Sequence, residues 1–200
     1  MKKSILIAVI AVLGFSTAAS AQEFVYFGAK GGVNFSNMTS DGFEENNSRT
    51  GFHLGLVSEI PVSDRFSVQP EVLYSSQGTE ANSAIFGDNG EYQLDDIQVP
   101  VIAKFYVING LALEVGPSFN FLVEEEYEFD LPGGGETEID TELGSTFEFG
   151  GALGASYKFN SGFFASARYT QGFTDAFDSD NWDEDAVNNN GFQLGIGLMF

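Results

Sequence analysis

Apolar and polar residues alternate along most of this chain with a period of two. In the last such run, Leu194 and Ile196 fall on one face of an extended chain, whereas Gln193 and Gly195 fall on the other. Alternation of this kind is typical of β-strands whose two faces meet different surroundings, so the sequence predicts an all-β fold. Eight runs show the pattern: FVYFGAKGGVNF, TGFHLGLVSEI, FSVQPEVLYS, DDIQVPVIAKFYV, LALEVGPSFNFLV, TFEFGGALGASYKF, FFASARYTQGF and NNNGFQLGIGLMF.

The connections between these runs alternate between short and long. Runs two and three, four and five, and six and seven are joined by about 3 to 5 residues, whereas the other connections contain about 14 to 22. One short connection contains Asn109-Gly110, which is a strong hairpin signal. Meandering strands with short turns at one end and long loops at the other are the layout of an outer-membrane barrel. We therefore predict an eight-stranded antiparallel up-and-down transmembrane β-barrel.

Alternation alone leaves open which face is inside, and the alternative is a soluble eight-stranded barrel whose apolar face points inward. Glycines crowd the polar face, where they would leave room for long side chains in a narrow lumen. The runs of about 10 to 13 residues suit a tilted spanning strand. Aromatic residues also form a belt at each end of the apolar face, as on a lipid-facing surface. The short-turn belt comprises Phe24, Phe66, Phe105, Phe159, Phe163 and Phe200, and the long-loop belt comprises Phe35, Phe52, Tyr74, Phe121, Phe147 and Phe192.

The first 21 residues have the features of a secretory signal peptide. Lys2 and Lys3 precede an apolar run that is too short to span a bilayer, and Ala19-Ser20-Ala21 matches a small-residue cleavage site. We therefore expect residues 1–21 to be removed and residues 22–200 to form one barrel domain in the bacterial outer membrane. Because the sequence contains no cysteine, the exported chain must rely on strand pairing and packing rather than on disulfides.

Charged residues are also present on the face that this orientation turns into the lumen. Four acids and four bases balance one another there, beside His53. Because an unpaired buried charge is strongly destabilising, we hypothesise an ion-pair network that fills the barrel. A polar conduit for a small solute is the alternative for the same residues. The eight charged residues are Lys30, Glu59, Glu71, Lys104, Glu114, Glu148, Lys158 and Arg168.

The rest of the chain is strongly acidic. Its formal net charge is −21, and it becomes −23 when Lys2 and Lys3 leave with the signal peptide. A chain this acidic is not expected to bind nucleic acid through its phosphates. The third long loop, EEEYEFDLPGGGETEIDTE, holds nine acids, and the fourth, TDAFDSDNWDEDAVNNN, holds six. Such a density of like charge predicts mobile, solvated loops.

The fourth long loop contains hard oxygen ligands of the kind that calcium prefers. Its spacing lacks the glycine and the terminal glutamate of an EF-hand loop, so we expect loosely bound divalent cations rather than a specific metal site, and no cofactor. The weak candidate ligands are Asp178, Asp180, Asp183 and Asp185.

Signals for catalysis are few. His53 is the single histidine of the sequence, so no histidine cluster can bind a metal. A serine, histidine and acid arrangement, as in barrel lipases or deacylases, is the enzymatic alternative, but no spacing selects a serine. GAKGG and LPGGGET lack the ending of a phosphate-binding loop. We predict a packed histidine and no enzymatic activity.

Several segments together resemble the PorT-like outer-membrane β-barrel family, which is abundant in Bacteroidota. They are GAKGGVNFS, LDDIQVPVIAKFYV, LEVGPSFNFLV, FEFGGALGASYKF and ARYTQGFTD. The resemblance implies an outer-membrane barrel and, from PorT itself, a part in protein secretion, but it supplies no catalytic residues. The acidic residue usual before the proline of the fourth run is Gln98 in this chain.

The predicted function is that of a non-enzymatic barrel with a filled lumen, whose long acidic extracellular loops mediate interaction or envelope structure. The alternative is a component of a transport or protein-secretion system. The expected partners are outer-membrane lipid, the barrel-assembly machinery and extracellular or secretion-system proteins. A terminal aromatic residue such as Phe200 resembles the signal by which that machinery recognises its clients.

Overall fold

The computed structural model describes residues 25–39, 47–83, 87–130, 136–140, 147–174 and 188–200. No helix among these residues is long and apolar enough to cross a membrane. The predicted signal peptide and Phe24 lie outside them. The described strands are β1 (Tyr26–Thr39), β2 (Asn47–Ser63), β3 (Phe66–Ser83), β4 (Gly87–Ile108), β5 (Leu111–Asp130), β6 (Glu136–Asp140), β7 (Phe147–Lys158), β8 (Phe163–Gly172) and β9 (Asn188–Met199).

Eight of these strands close into a barrel. They pair in the order β4, β3, β2, β1, β9, β8, β7, β5, and β5 pairs in turn with β4. The first and last strands are antiparallel, with Gly28 opposite Met199. Backbone hydrogen bonds between Phe27 and Phe200 continue this pairing to the final residue. The predicted eight-stranded antiparallel barrel is confirmed, and its wall has no open edge because β1 and β9 complete it.

The short connections lie at one end of the barrel, as predicted. Ser63 pairs with Phe66 across the turn between β2 and β3, and Ile108 pairs with Leu111 across Asn109-Gly110. Gly110 has a φ of 86°, a left-handed conformation that glycine adopts without steric cost.

The apolar face of the barrel points outward. Leu56, Leu153 and Ile196 are 68%, 64% and 72% exposed, whereas Glu71 and Arg168 are buried in the lumen. This is the reverse of a soluble barrel and suits a surface that contacts lipid.

Glycines on the inner face make room for the long polar side chains. A Cβ atom at Gly195 would lie 2.7 Å from Cε of Lys30 and 3.0 Å from Oγ of Ser166. At Gly154 it would lie 2.8 Å from Cγ of Arg168. A larger residue at Gly195 would therefore displace the Lys30 side chain, whereas at Gly154 it would also lie 2.2 Å from the backbone oxygen of Ala167.

Four strands are clearly longer than the expected 10 to 13 residues: β2 contains 17 residues, and three others are longer still. β3, β4 and β5 contain 18, 22 and 20 residues, and their pairing continues beyond Tyr74 and Phe121 of the long-loop belt. The expectation was wrong for these strands because it followed apolar alternation only, whereas backbone pairing continues through polar sequence. We call the four-stranded sheet formed by 77–83, 87–95, 124–130 and 136–140 the extension.

The extension also corrects the interpretation of the third long loop. Residues 124–130 and 136–140 of that segment are paired strands rather than a solvated loop. Counting the acids overlooked how they are spaced. From residue 126 onwards acids occupy alternate positions, and Tyr127, Phe129 and Ile139 lie between them. A period of two predicts a strand whatever the polar residue is.

Candidate functional site

Arg168 on β8 lies in the middle of the lumen and contacts two carboxylates. Its Nη1 and Nη2 donate to Oε2 and Oε1 of Glu71 at 2.9 and 2.7 Å, and its Nε donates to Oε2 of Glu114 at 2.5 Å. All three residues are at most 2% exposed. A bidentate arginine–carboxylate pair is a strong charge-assisted contact. Arg168 therefore links β8 to both β3 and β5 across the barrel.

Two lysines extend this cluster. Nζ of Lys30 lies 3.4 Å from Oε2 of Glu71, and Nζ of Lys104 lies 3.7 Å from Oε1 of Glu114. Gln69 joins the two carboxylates indirectly, because its Oε1 accepts from Lys104 at 3.0 Å and its Nε2 donates to Glu71 at 2.6 Å. Each buried charge in this part of the lumen therefore has an opposite charge and a hydrogen-bonding neighbour.

Glu59 lies nearest the short-turn end of the lumen and accepts several hydrogen bonds there. It accepts hydrogen bonds from Nζ of Lys158 at 3.0 Å, from Oγ of Ser67 at 3.0 Å and from the hydroxyl of Tyr106. Nζ of Lys104 lies 3.9 Å away and connects Glu59 to the central cluster. The buried carboxylate of Glu59 is thus surrounded by donors.

Seven of the eight charged residues expected in the lumen are joined by ion pairs, and we call them the lumen network. Glu148 lies apart from it and accepts instead from the amide of Asn120 at 3.3 Å. The strand register gives the reason, since Glu148 pairs with Asn120 whereas Gly154, six residues further along β7, pairs with Arg168. Six residues correspond to roughly 20 Å along a strand. The lumen network comprises Lys30, Glu59, Glu71, Lys104, Glu114, Lys158 and Arg168.

A second polar layer occupies the lumen towards the long loops. The amide of Gln193 donates to Oε1 of Gln98 at 3.2 Å, and the hydroxyl of Ser118 donates to Oδ1 of Asn120 at 3.0 Å. Asp96 is buried on the same face. The cavity within this layer has a volume of about 10 Å³, which is close to the minimum for one water molecule. The two layers together leave little free space across the barrel.

His53 lies within the filled lumen and is 1% exposed. Its Nδ1 is 2.7 Å from Oδ1 of Asn34, while the amide nitrogen of Asn34 donates to Oγ of Ser75 at 2.9 Å. Because Oδ1 accepts, Nδ1 is the protonated nitrogen of His53. Its Nε2 has no hydrogen-bond partner among the described residues. The imidazole is therefore held by an amide in a place that solvent does not reach.

The structure does not test the weak cation ligands predicted from the sequence. Within the described ranges, no three His, Cys, Asp or Glu side chains are placed to hold a metal ion. The four aspartates lie outside the described residues, and loose cation binding there stays a prediction. They are Asp178, Asp180, Asp183 and Asp185.

A family model described as "Outer membrane protein beta-barrel domain" matches residues 20–178. The chain belongs to this family. Its location is therefore the bacterial outer membrane, in agreement with the prediction. A search of curated proteins found no match, and the narrower resemblance to PorT-like proteins stays a prediction.

Solved structures of outer-membrane barrels resemble this family member in fold. Neisserial surface protein A matches with a TM-score of 0.58 and 16% identity, over 89% of this chain and 100% of that one. Ail, the attachment invasion locus protein of Yersinia pestis, matches with a TM-score of 0.55 and 15% identity over the same shares. Ail in complex with the heparin analogue sucrose octasulfate gives 0.53 at 15% identity, again over 89% and 100%. At these identities the likeness concerns the fold alone.

Membership of an outer-membrane barrel family also indicates which end of the barrel faces the periplasm. In such barrels the short turns face the periplasm and the long loops face outward. Lys158 and Glu59 therefore lie towards the periplasmic end of the lumen, whereas Glu148 and Asp96 lie towards the extracellular end.

Sequence reasoning did not single out the neutral members of this outer-membrane barrel's interior. Gln69, Tyr106 and Asn34 all hydrogen-bond to lumen groups. Their position in the alternation was the available signal, since Gln69 lies two residues before Glu71 and Tyr106 two residues after Lys104. A count of charges alone overlooks such groups.

Proposed function

We propose that this protein is a non-enzymatic outer-membrane barrel that holds the extension outside the cell for contact with cationic partners or divalent cations. The observation that carries the proposal is the register of acids across the four strands. Each of these acids pairs with the next across neighbouring strands. They are Glu80, Glu91, Glu128 and Glu138, on β3, β4, β5 and β6 respectively.

Like charges directly opposite one another destabilise a sheet. The same opposition occurs in the neighbouring pairs Glu126 with Asp140 and Asp130 with Glu136. A cation or a basic segment of a partner would remove this repulsion, and anything that binds only the folded state stabilises it. A positively charged ligand would therefore increase the stability of the extension.

The proposed ligand is opposite in sign to the polyanion found with Ail. That protein was crystallised with a heparin analogue, sucrose octasulfate, whereas this chain has a formal net charge of −21. Repulsion would oppose the approach of a sulfated glycan to the extension. We infer that the shared fold carries a different surface chemistry here.

The lumen supports a scaffold rather than a conduit or an enzyme. The polar layer leaves a cavity of about 10 Å³ near Gln98 and Glu148, and the side chains of Glu71, Glu114 and Arg168 in the lumen network are at most 2% exposed. The same packing keeps substrates from His53. In planar lipid bilayers we expect the purified barrel to give no stable large openings. Stable openings would contradict the scaffold and favour the solute conduit.

Partner capture tests the role of the extension and separates it from a secretion role. In one variant residues 124–142 are replaced by a short turn, and in a matched variant the periplasmic turn residues Asp64 and Arg65 are both changed to serine. Cross-linking followed by pull-down should lose its partners only in the first variant. Loss of partners only in the second would contradict the proposal and favour the PorT-like alternative, in which periplasmic turns contact other machinery.

A further inference from the structure

A large cavity opens at the periplasmic end of the barrel. Its volume is about 900 Å³, and it reaches from the short turns down to Glu59, Tyr106 and Lys158. Pockets for small ligands typically have volumes of about 300 to 1,000 Å³. We call this cavity the vestibule. It lies at the opposite end of the molecule from the extension, so what it binds is independent of the function proposed above.

The floor of the vestibule belongs to a network with an excess of positive charge. The lumen network contains four bases and three acids, which gives it a formal charge of +1. Glu148, which would balance it, lies at the other end of the lumen and bonds to Asn120. The eight charges therefore sum to zero only when Glu148 is included, and the lumen network alone is positive.

Lys158 is the base of the lumen network that is exposed to the vestibule. Its side chain is 27% exposed, whereas those of Lys30, Lys104 and Arg168 are 1% to 2% exposed. Glu59 is the one carboxylate in ion-pair contact with it among the described residues. An ammonium group carries three donors, so Lys158 retains donors that can reach into the vestibule.

Glu59 itself is already well supplied with donors. Ser67, Tyr106 and Lys104 contact the same carboxylate that Lys158 contacts. A further anion near Lys158 would therefore not leave Glu59 unpaired.

Aromatic and apolar groups surround this ammonium. Nζ of Lys158 lies 5.0 Å from the ring centroid of Tyr26 and 5.7 Å from that of Tyr106. Met199 also lines the vestibule, and the rim carries one charge of each sign, Asp64 and Arg65. The combination of a positive floor and aromatic walls fits an anionic head group on an apolar body.

We propose that the vestibule binds a small organic anion from the periplasm, with a carboxylate or phosphate head on Lys158 and an apolar body against Tyr26 and Tyr106. The anion would complete the charge balance of the lumen network. Arg65 would contact the ligand at the mouth only at short range, because Asp64 beside it carries the opposite charge.

Titration calorimetry on the full barrel in a non-ionic detergent tests this site. The probes are benzoate, phenyl phosphate and the neutral benzyl alcohol. We expect one saturable site for at least one of the two anions and affinity at least tenfold lower for the alcohol. A preference for benzoate or for phenyl phosphate identifies the head group, and either supports the proposal.

Substitutions locate the site. Lys158→Gln, which keeps a donor to Glu59, should weaken anion binding at least tenfold, whereas Lys158→Arg should retain it. Arg65→Gln, at the exposed rim, should weaken binding about two- to threefold and serves as a second variant if Lys158→Gln does not fold. Glu148→Gln, at the far end of the lumen, is the matched control and should bind as the wild type does.

Two results would overturn the proposal. One is equal anion affinity in the wild type and in both the Lys158→Gln and Arg65→Gln variants. The other is a non-saturable signal that chloride reproduces at the same ionic strength, which would mean simple counterion attraction. Heat-dependent migration on gels confirms that each variant is a folded barrel before it is titrated.

Discussion

Arg168 illustrates how a single buried side chain organises the lumen. It contacts Glu71 on β3 and Glu114 on β5, the two strands that flank β4 in the barrel wall. The desolvation of buried ion pairs offsets much of their attraction, so such pairs contribute less to net stability than their contacts suggest. Breaking one is a different matter, because the remaining charge stays buried without its partner.

The first prediction follows from this asymmetry. Arg168→Met should lower the free energy of unfolding by about 3 to 5 kcal/mol, because Glu71 and Glu114 lose their shared partner in a buried site. Urea unfolding in lipid vesicles, followed by circular dichroism, measures the change. Adding Glu71→Gln to Arg168→Met should recover part of the loss.

Glu148→Gln is the control for that experiment. Glu148 has a neutral amide partner, Asn120, and we expect its replacement to cost less than about 1 kcal/mol. Equal stability of Arg168→Met and the wild type would show that the ion pairs of the lumen network do not hold the barrel together.

At the scale of strands, the extension combines regular backbone pairing with opposed charges. Its apolar positions also pair, since Tyr127 stands opposite both Tyr92 and Ile139. Paired aromatic and β-branched residues stabilise a sheet, while opposed acids destabilise it. The balance between these two sets determines how firmly the extension is folded.

The second prediction concerns this balance. Glu128→Gln removes the opposition to both Glu91 and Glu138, so it should slow hydrogen exchange of the amides at 124–130 and 136–140 about 1.4- to 5-fold, as expected for 0.2 to 1 kcal/mol. Glu125→Gln is the matched control, because Glu125 stands opposite Leu94. Equal effects in both variants would attribute the change to net charge rather than to register.

Residue alternation predicted the strands and their inner faces, but not every contact. Glu148 was assigned to the correct face, yet its partner depends on the register that places it beside Asn120. Alternation with a period of two carries no information on register between strands that are distant in sequence. The extension was missed for another reason, because acids at alternate positions were read as a sign of solvation rather than of pairing.

At the scale of the whole molecule, charge is divided between the two ends. The lumen network has a formal excess of one positive charge, whereas Asp96, Glu148 and Arg49 lie towards the extracellular end and sum to −1. The acids of the extension add to the negative end. The two proposed ligands, an anion in the vestibule and a cation at the extension, therefore have opposite signs.

The third prediction concerns Phe200. Its ring is 78% exposed at the periplasmic aromatic belt, while its backbone bonds to Phe27. Phe200→Ala keeps that backbone pairing but removes the ring, so we expect less folded barrel in the outer-membrane fraction by heat-dependent gel migration. Phe200→Tyr should behave as the wild type does. Unchanged yield for Phe200→Ala would show that the terminal ring has no part in assembly.

The pairing of β1 with β9 also governs when the protein can fold. Gly28 meets Met199, so the contact that completes the wall joins residues separated by nearly the entire chain. The entropy cost of closing a loop rises with its length, and folds dominated by distant contacts form slowly. A chain that lacks β9 cannot complete that seam. We therefore expect the barrel wall to close only after β9 has reached the membrane, whereas local hairpins such as β2 with β3 can pair earlier.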